Sequence, residues 1–278
     1  LEYNFLLLNL KDDTGQRLPE IARKQRWFRE PKFRQAIAAA VDRQGVVRLV
    51  YQGRGTPLWA NVTPGNKLWL NSAIAQVQRS PARARELLRS AGFLLKSDGT
   101  LLDGSGQSVE FSIAAPANNS QRVQIATIIQ QDLQQLGMKV HVVPLEFRAL
   151  VDRVTQTHDY EAAIMALGSG DVDPNGEMNV WLSAGSTHLW HLGQRQPATP
   201  WEAEIDRLMQ QQMTTRDYAQ RKHLFDRVQE IVAQELPIIA VASPNILVGA
   251  KKDLGNFRPA ILDHYTLSNV EELFWRKK

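Results

Sequence analysis

The segment from residue 109 to residue 167 alternates between strand-like and helix-like sequence, and this order constrains the fold more than any other feature. It contains three apolar runs of strand length, at Val109–Ala114, Lys139–Val143 and Ala162–Leu167. Between the first two, apolar side chains recur at helical spacing from Gln121 to Leu136, and a second helix is expected from about Leu145 to Thr155. This order predicts an α/β fold with a mixed, mostly parallel sheet and flanking helices.

Other segments extend this framework in both directions. The alternation of Tyr3, Phe5 and Leu7 predicts an opening strand, and the polar stretch Leu10–Arg26 is predicted to be a loop. One amphipathic helix is expected from Pro31 to Val50, followed by an irregular stretch over residues 58–79. Further helices are predicted to begin after Ser80, Ser120 and Thr199 and near Arg216, and Pro237–Ala242 is predicted to form a buried strand.

Composition excludes several classes of protein. The chain has no cysteine, so it can form neither a disulfide nor a thiolate metal site. No window approaches eighteen consecutive apolar residues, so no transmembrane helix is expected. The net charge of +4 comes from 33 basic and 29 acidic residues that are scattered along the chain, which argues against nucleic-acid binding.

The strand Ala162–Leu167 ends in a glycine-rich acidic loop. Gly168 and Gly170 are followed at once by Asp171 and Asp173. Ligands of open α/β sheets lie just beyond the carboxyl ends of strands, so these carboxylates predict a site for a positively charged group. The loop also resembles the first half of an EF-hand, but Leu182 stands where a bidentate glutamate is required and a strand precedes the loop, so the EF-hand interpretation fails.

Residues close to this loop suggest two further kinds of chemistry. His188 and His191 could place two imidazoles near one metal ion, with Glu177 or Asp171 as an oxygen ligand, although structural or ligand-lining histidines are the alternative. Three tryptophans, Trp181, Trp190 and Trp201, could either fill the core or enclose an organic cation. A serine hydrolase is not indicated, because the glycines around Ser169 lack the spacing of a nucleophile elbow.

Taken in order, several segments are similar to one family across nearly the whole chain. They are the opening strand Phe5–Leu10, the helix Phe33–Arg43, the helix Ala82–Phe93, the helix and strand within Arg122–Leu145, the strand and acidic loop within Asp159–Pro174, and the helix and strand within Gln229–Ile239. Together they resemble the extracytoplasmic solute-binding proteins of peptide and nickel ABC transporters, the dipeptide- and oligopeptide-binding class.

The resemblance implies a periplasmic-binding-protein-like lobe of class II, peptide-binding type. Members of the family are about twice as long and have two lobes, so the chain is expected to be a fragment containing the second lobe. Residues 1–10 are then expected to form a crossover strand from the first lobe, residues 11–243 the second ligand-binding lobe, and residues 244–278 a return segment toward the first lobe.

The resemblance also implies a function without catalysis or a cofactor. It predicts a monomeric substrate-binding component of an ABC importer, periplasmic or otherwise extracytoplasmic and membrane-associated through its transporter. Such a protein captures a peptide or related amine-bearing solute between its lobes and delivers it to the permease. The alternative is a nickel- or metal-chelate-binding protein of the same fold; a peptide hydrolase is a weaker third interpretation.

For the ligand site, the resemblance carries over mainly to the acidic loop. Asp171 matches the family aspartate that holds the free α-amino group of a bound peptide, and Asp173 is a second acceptor or a turn-former. The other residues predicted to lie at the ligand are Gly170, Trp181, His188, Trp190 and Asn118.

The chain departs from the family pattern at one position. Dipeptide-binding members carry an arginine in the loop after the strand that corresponds to Val109–Ala114, where it binds the ligand carboxylate. Here that loop, residues 115–120, has no basic residue, and the first one is Arg122. Strict dipeptide recognition is therefore not implied, and a longer peptide or another amine-bearing solute fits equally well.

Overall fold

The computed structural model describes residues 2–12, 18–168, 170–262 and 265–276. Its helices are α1 (Pro19–Arg29), α2 (Pro31–Ala40), α3 (Arg43–Leu49), α4 (Pro81–Ser90), α5 (Ser120–Gln134), α6 (Phe147–Asp152), α7 (Met178–Trp181), α8 (Pro200–Thr214) and α9 (Tyr218–Glu235). Its strands are β1 (Glu2–Leu8), β2 (Gly55–Pro57), β3 (Leu94–Leu95), β4 (Leu101–Leu102), β5 (Glu110–Pro116), β6 (Lys139–Leu145), β7 (Ala162–Gly168), β8 (Ile238–Pro244), β9 (Leu254–Gly255) and β10 (Phe274–Trp275).

The main sheet of the described chain has six strands in the order β2-β8-β1-β7-β5-β6. Strands β5, β6 and β7 pair in parallel, as the strand–helix–strand pattern requires. Strand β1 is antiparallel to both β7 and β8, and β2 is antiparallel to β8. The predicted α/β fold with a mixed sheet and flanking helices is confirmed. Strands β5, β6, β7 and β8 all run in the same direction, and the antiparallel pairings arise because β1 lies between β7 and β8 and runs opposite to both, as β2 does to β8.

Strand β1 lies in the interior of this sheet. Phe5, Leu6 and Leu7 have no exposed surface, although adjacent residues of a strand point to opposite faces. Both faces of the sheet are therefore covered around β1, which explains why its second half, residues 5–8, is a continuous apolar run. Helix α5 packs on β5, β6 and β7, and α3 packs against β2 and β8.

Two predictions near the start of the chain need correction. The polar stretch predicted as a loop contains most of α1, which begins with a proline in its first turn and buries Ile21, Gln25 and Phe28; residues 13–17 of that stretch lie outside the described residues. The single helix expected up to Val50 is two helices, because Asp42 leaves the helical path and caps α3 by accepting the Gly45 N–H at 2.7 Å.

Later helices begin close to the predicted residues. Ser80 caps α4 and Thr199 caps α8, each accepting a backbone N–H at 3.2 Å. The cap of α5 is Asn119 and not Ser120, since the Asn119 side chain accepts the Arg122 N–H at 3.0 Å. The stretch from residue 58 to residue 79 forms no helix or strand, as expected, and Trp69 is buried within it.

The strand directions determine which loops meet at one edge of the sheet. The carboxyl ends of β5, β7 and β8 point the same way, because β5 is parallel to β7 and β1 is antiparallel to both β7 and β8. Glu2, the first residue of β1, lies opposite Gly168 at the end of β7. The acidic loop, the loop after β5 and the amino end of β1 therefore share this edge.

Arg43 offers a test of how the sheet is joined to α2 and the irregular stretch. Its buried guanidinium donates to the carbonyl oxygens of Ala38, Leu58 and Ala240 at 2.7–2.9 Å. Burial lowers the pKa of Arg43 to about 10. We expect Arg43→Met to lower the free energy of unfolding by about 3 kcal/mol, because it leaves three buried carbonyls without a donor. Urea titration measures the change. Arg48→Met, on the exposed side of α3, is the control, and equal losses in the two variants would contradict the assignment.

Candidate functional site

The acidic loop is a turn held by its own side chains. The Asp171 carboxylate accepts the N–H of Asp173 at 3.1 Å, and the Asp173 carboxylate accepts the N–H of Asn175 at 2.9 Å. The chain then forms a single 3₁₀ turn, Pro174–Glu177, before α7. Two consecutive aspartate turns direct the loop back toward the interior at Glu177. Ser169 lies outside the described residues.

Asp173 is bound to a single arginine from α9. Arg221 makes a bidentate ion pair with it at 2.8 and 3.0 Å, and its guanidinium also lies 5.0 Å from the centroid of the Trp69 ring. Partial burial acts to raise the pKa of Asp173, but the hydrogen bonds from Arg221 outweigh it and the pKa is lowered. Both carboxylate oxygens are engaged, so the geometry fits the predicted turn-former better than a second acceptor for a ligand.

Asp171 and its neighbour Gly170 lie at the surface of the described structure. Asn118, at the end of the adjacent strand β5, is also exposed. These three predicted residues therefore lie on the same edge of the sheet and face solvent. Only Asp171 among them can carry a charge.

A second acidic group lies behind the loop. The Glu177 carboxylate accepts hydrogen bonds from the Trp181 indole at 2.8 Å and from the Asn61 amide at 3.2 Å. Burial raises the pKa of Glu177 more than these two donors lower it. The contact joins the irregular stretch of residues 58–79 to the acidic loop.

Three predicted site residues do not lie at the surface. Trp181, His188 and Trp190 are at most 1% exposed. The rings form one cluster, with 5.8 Å between the Trp181 and Trp190 centroids and 3.9 Å between those of His188 and Trp190. The expectation that these side chains line a cleft does not fit their burial, because the residues between α7 and α8 fold inward and make the three rings part of the core.

His188 is held by acceptors on both sides. Nδ1 lies 3.0 Å from the Val180 carbonyl oxygen and Nε2 lies 3.2 Å from Glu202 Oε1, so each ring nitrogen faces an oxygen acceptor. Glu202 also accepts from Trp190, Gln194 and Thr199. Burial acts to raise the pKa of Glu202, but these donors outweigh it and lower the pKa to about 2.

The predicted metal ligands are not brought together. His188 contacts Glu202 at 3.2 Å, whereas His191 lies 3.4 Å from Asp12. Burial lowers the pKa of His191, with Asp12 opposing the shift. Among the residues that the structure describes, no group of three or more histidine, cysteine, aspartate or glutamate side chains could hold a metal ion.

Two arginines at this edge were not predicted as functional. Arg221 binds Asp173, and Arg122, in the first turn of α5, donates to Asn4 at 3.1 Å and lies 3.4 Å from the Glu2 carboxylate. The position of Arg122 just after a strand end is visible in the sequence. Its proximity to the amino end of β1 is not, because that contact depends on strand order.

Comparison with known proteins assigns the chain to a family. Residues 1–188 match the family model described as bacterial extracellular solute-binding proteins, family 5, middle region. The chain belongs to this family of solute-binding proteins. No helix within the described ranges is long and apolar enough to cross a membrane.

Individual relatives agree with this assignment. A di/tripeptide-binding protein of Pseudomonas aeruginosa is 28% identical over 255 residues, which are 90% of this chain and 44% of the relative. The solved structure of the oligopeptide-binding protein AppA of Bacillus subtilis, in complex with a nonapeptide, matches 100% of this chain and 51% of its own with a TM-score of 0.76 at 21% identity. NikZ of Campylobacter jejuni in complex with Ni(L-His) matches 98% of this chain and 51% of its own with a TM-score of 0.72 at 22% identity. The chain thus spans about half the length of these proteins, and the two structures show the fold.

The Asp173–Arg221 pair gives a prediction for the loop. We expect Asp173→Asn and Arg221→Met to be coupled by about 1 kcal/mol in a double-mutant cycle, because the pair is bidentate and partly buried. The folded pKa of Asp173 is lowered, so this contribution is present above the unfolded value of about 4 and is lost as pH falls below it. Urea titrations at neutral and acid pH measure it. Arg227→Met, which removes an exposed pair with Glu230, is the control for loss of an arginine on α9.

The buried Glu202 gives a second prediction. Its pKa of about 2 lies below the unfolded value, so its stabilisation is present above about pH 4.5 and is lost as pH falls toward 2. We expect Glu202→Gln to cost about 3 kcal/mol at neutral pH, since it removes a buried carboxylate that four side chains contact as hydrogen-bond partners. The stability of the variant should also depend less on pH below about 4.5. Thermal melts from pH 7 to 2.5 check this. If the melting temperature of Glu202→Gln changed with pH in parallel with that of the exposed Glu230→Gln variant, this role of Glu202 in acid stability would be ruled out.

Proposed function

We propose that this chain is the second lobe of a substrate-binding component of an ABC importer, which captures a peptide or a related amine-bearing solute in an interlobe cleft and delivers it to the permease. The protein acts without catalysis, as a monomer, outside the cytoplasm and beside the membrane through its transporter. Family membership supports this proposal, together with relatives whose names specify peptide binding. Because the chain spans about half of those relatives, a first lobe would supply the rest of the cleft.

The ligand assignment depends on the position of Asp171, which lies just after the end of β7. Its carboxylate is exposed at the edge where the ends of β5, β7 and β8 converge. Asp173 keeps the loop in place through Arg221, and Asp171 is the exposed acidic residue of the loop that we assign to an incoming ammonium. A desolvated ammonium requires a paired and hydrogen-bonded charge, which this carboxylate can provide when a second lobe covers it.

The opposite charge at the same edge comes from Arg122. A peptide with free termini carries an ammonium and a carboxylate, and the edge presents an acidic group after β7 and a basic group at the start of α5. Arg122 stands just beyond the loop in which the sequence lacks an arginine. We include it, with Gly170 and Asn118, among the residues at the ligand.

The domain boundaries form part of the same proposal. Residues 1–10 would enter from the first lobe and residues 244–278 would return to it, with residues 11–243 as the lobe between them. Large apolar side chains of the return segment are exposed, among them Leu247, Phe274 and Trp275 at 56–64%. Such exposure is expected of a segment that packs on another part of the protein.

The nickel-binding alternative receives no support from the two histidines on which it depended. His188 is fully buried against Glu202 and cannot reach a ligand in a cleft without unfolding this region.

A variant of Asp171 tests the amine assignment. In the full-length protein, we expect Asp171→Asn to weaken the binding of peptides with a free amino terminus by about 2 kcal/mol or more. The binding of their N-acetylated forms should change far less, because only the free amino terminus presents a charge to Asp171. Isothermal titration calorimetry with matched peptide pairs measures both. Asp152→Asn, an exposed aspartate on α6, is the control. Equal losses for free and acetylated peptides would refute the role of Asp171.

A further inference from the structure

One segment of the chain carries its whole excess of positive charge. Residues 79–96, which include α4 and β3, contain five basic residues and one acidic residue, a net charge of +4. The complete sequence has 33 basic and 29 acidic residues, which also gives +4, so the charges outside this segment cancel. Basic residues are scattered along the chain, but their excess over acidic residues lies here and favours an anionic partner.

The segment lies at the edge of the sheet opposite the acidic loop. Strand β3 pairs with β4 in a hairpin that adjoins the amino ends of β5 and β6. The Val109 N–H donates to the Leu101 carbonyl oxygen, and the Leu101 N–H donates to the Gly137 carbonyl oxygen, each at 2.9 Å. The edge with the acidic loop is formed instead by the carboxyl ends of β5, β7 and β8 and the amino end of β1. A first lobe that continues from β1 and β8 would therefore join the chain on the other side from this segment.

A groove between α4 and the β3–β4 hairpin has an apolar lining, and we call it the α4 groove. Its volume is about 320 Å³, and Leu88, Phe93 and Leu136 form part of its lining. Leu94 and Leu95 also line it, yet they are 62% and 43% exposed. Two adjacent leucines with this exposure form an apolar patch beside the charges, and covering them with an apolar partner would be favourable.

Two exposed arginines of α4, Arg85 and Arg89, line the same groove. The one acidic residue of the segment, Glu86, forms an ion pair with Arg83 at 2.7 Å. Arg85 donates to the Gln135 carbonyl oxygen at 2.8 Å, which is a neutral acceptor. Among the residues that the structure describes, neither Arg85 nor Arg89 has an acidic side chain as an ion-pair partner. Their charges are therefore available to an anionic group outside the chain.

We propose that the α4 groove docks on the surface of an anionic phospholipid bilayer. The excess of positive charge selects an anionic partner, and the exposed leucines beside it select one with an apolar layer behind its charges. Arg85 and Arg89 would bind lipid phosphates, since a guanidinium matches the geometry of phosphate oxygens. Leu94 would enter the boundary between headgroups and acyl chains, and binding of this kind needs both signals. The surface is separate from the acidic loop, so docking does not depend on the proposed peptide ligand.

Vesicle sedimentation tests the docking directly. We expect the unaltered chain without peptide to bind vesicles of equal parts phosphatidylglycerol and phosphatidylcholine, and to bind phosphatidylcholine vesicles at least about tenfold more weakly. The double variant Arg85→Gln, Arg89→Gln should weaken binding to the anionic vesicles by about tenfold or more, because each basic residue near the surface contributes. Leu94→Ser should weaken it by about fivefold or more, because it removes an apolar side chain that would be buried.

The matched control lies on α3. The double variant Arg48→Gln, Leu49→Ser removes an exposed arginine and a leucine that is 62% exposed, as Leu94 is, and it should bind as the unaltered chain does. The exposed apolar side chains of residues 244–278 are the same in every variant, so a difference between variants reports on the α4 groove.

The outcomes separate a bilayer from other anionic partners. Equal binding to the two kinds of vesicle, or equal losses in the α4 variants and the α3 control, would overturn the proposal. If the arginine variant lost binding and Leu94→Ser did not, the arginines would attract anions in general, an acidic protein included, and the bilayer assignment would be wrong. Should a variant fail to fold, the salt dependence of the unaltered chain decides: its binding should weaken as NaCl is raised, since exposed charges are screened, and binding that does not change with salt would contradict the proposal.

Discussion

The burial of β1 on both faces is the constraint on which the rest of the structure depends. The apolar residues of β1 are buried in the interior of the protein. The strand pairs antiparallel with β7 on one side and with β8 on the other. Strands β7 and β8, which are distant in sequence, are thereby held on either side of β1 with their carboxyl ends at the same edge of the sheet. The edge that carries the acidic loop is a direct consequence of this arrangement.

The environment of each acidic residue at that edge depends on its burial as much as on its position in the sequence. Asp171 and Asp173 are two residues apart, yet Asp173 forms an ion pair with Arg221 whereas Asp171 is exposed to solvent. Glu177 and Glu202 also differ: Glu202 is contacted by four hydrogen-bonding side chains and its pKa is lowered, whereas Glu177 is contacted by two and its pKa is raised. Two hydrogen bonds do not offset the loss of solvation of the Glu177 carboxylate, whereas the larger set of hydrogen bonds to Glu202 does.

Prediction from the sequence succeeded where a pattern is local. The caps at Ser80 and Thr199 and the apolar runs of β5, β6 and β7 follow from nearest neighbours along the chain, and the structure confirms them. It failed where a local pattern was ambiguous: Asp42 divides a continuous amphipathic stretch into α2 and α3 because its side chain caps the second helix. It failed again for the Trp181, His188 and Trp190 cluster, since polar and aromatic residues near a loop can face either solvent or core.

By itself, the sequence determined the α/β class, the order of strands and helices from β5 to β7, the acidic loop at a strand end, and the family. These are carried by periodicity, capping residues and motif order, all of which are properties of short segments. Only the tertiary structure decided that β1 lies between β7 and β8, that Arg221 engages Asp173, that Arg122 stands at the edge of the sheet, and that Asn61 and Asn66 meet the loop from a distant segment. The physical reason is that these contacts are set by strand order and by the packing of separated segments, which no local pattern encodes.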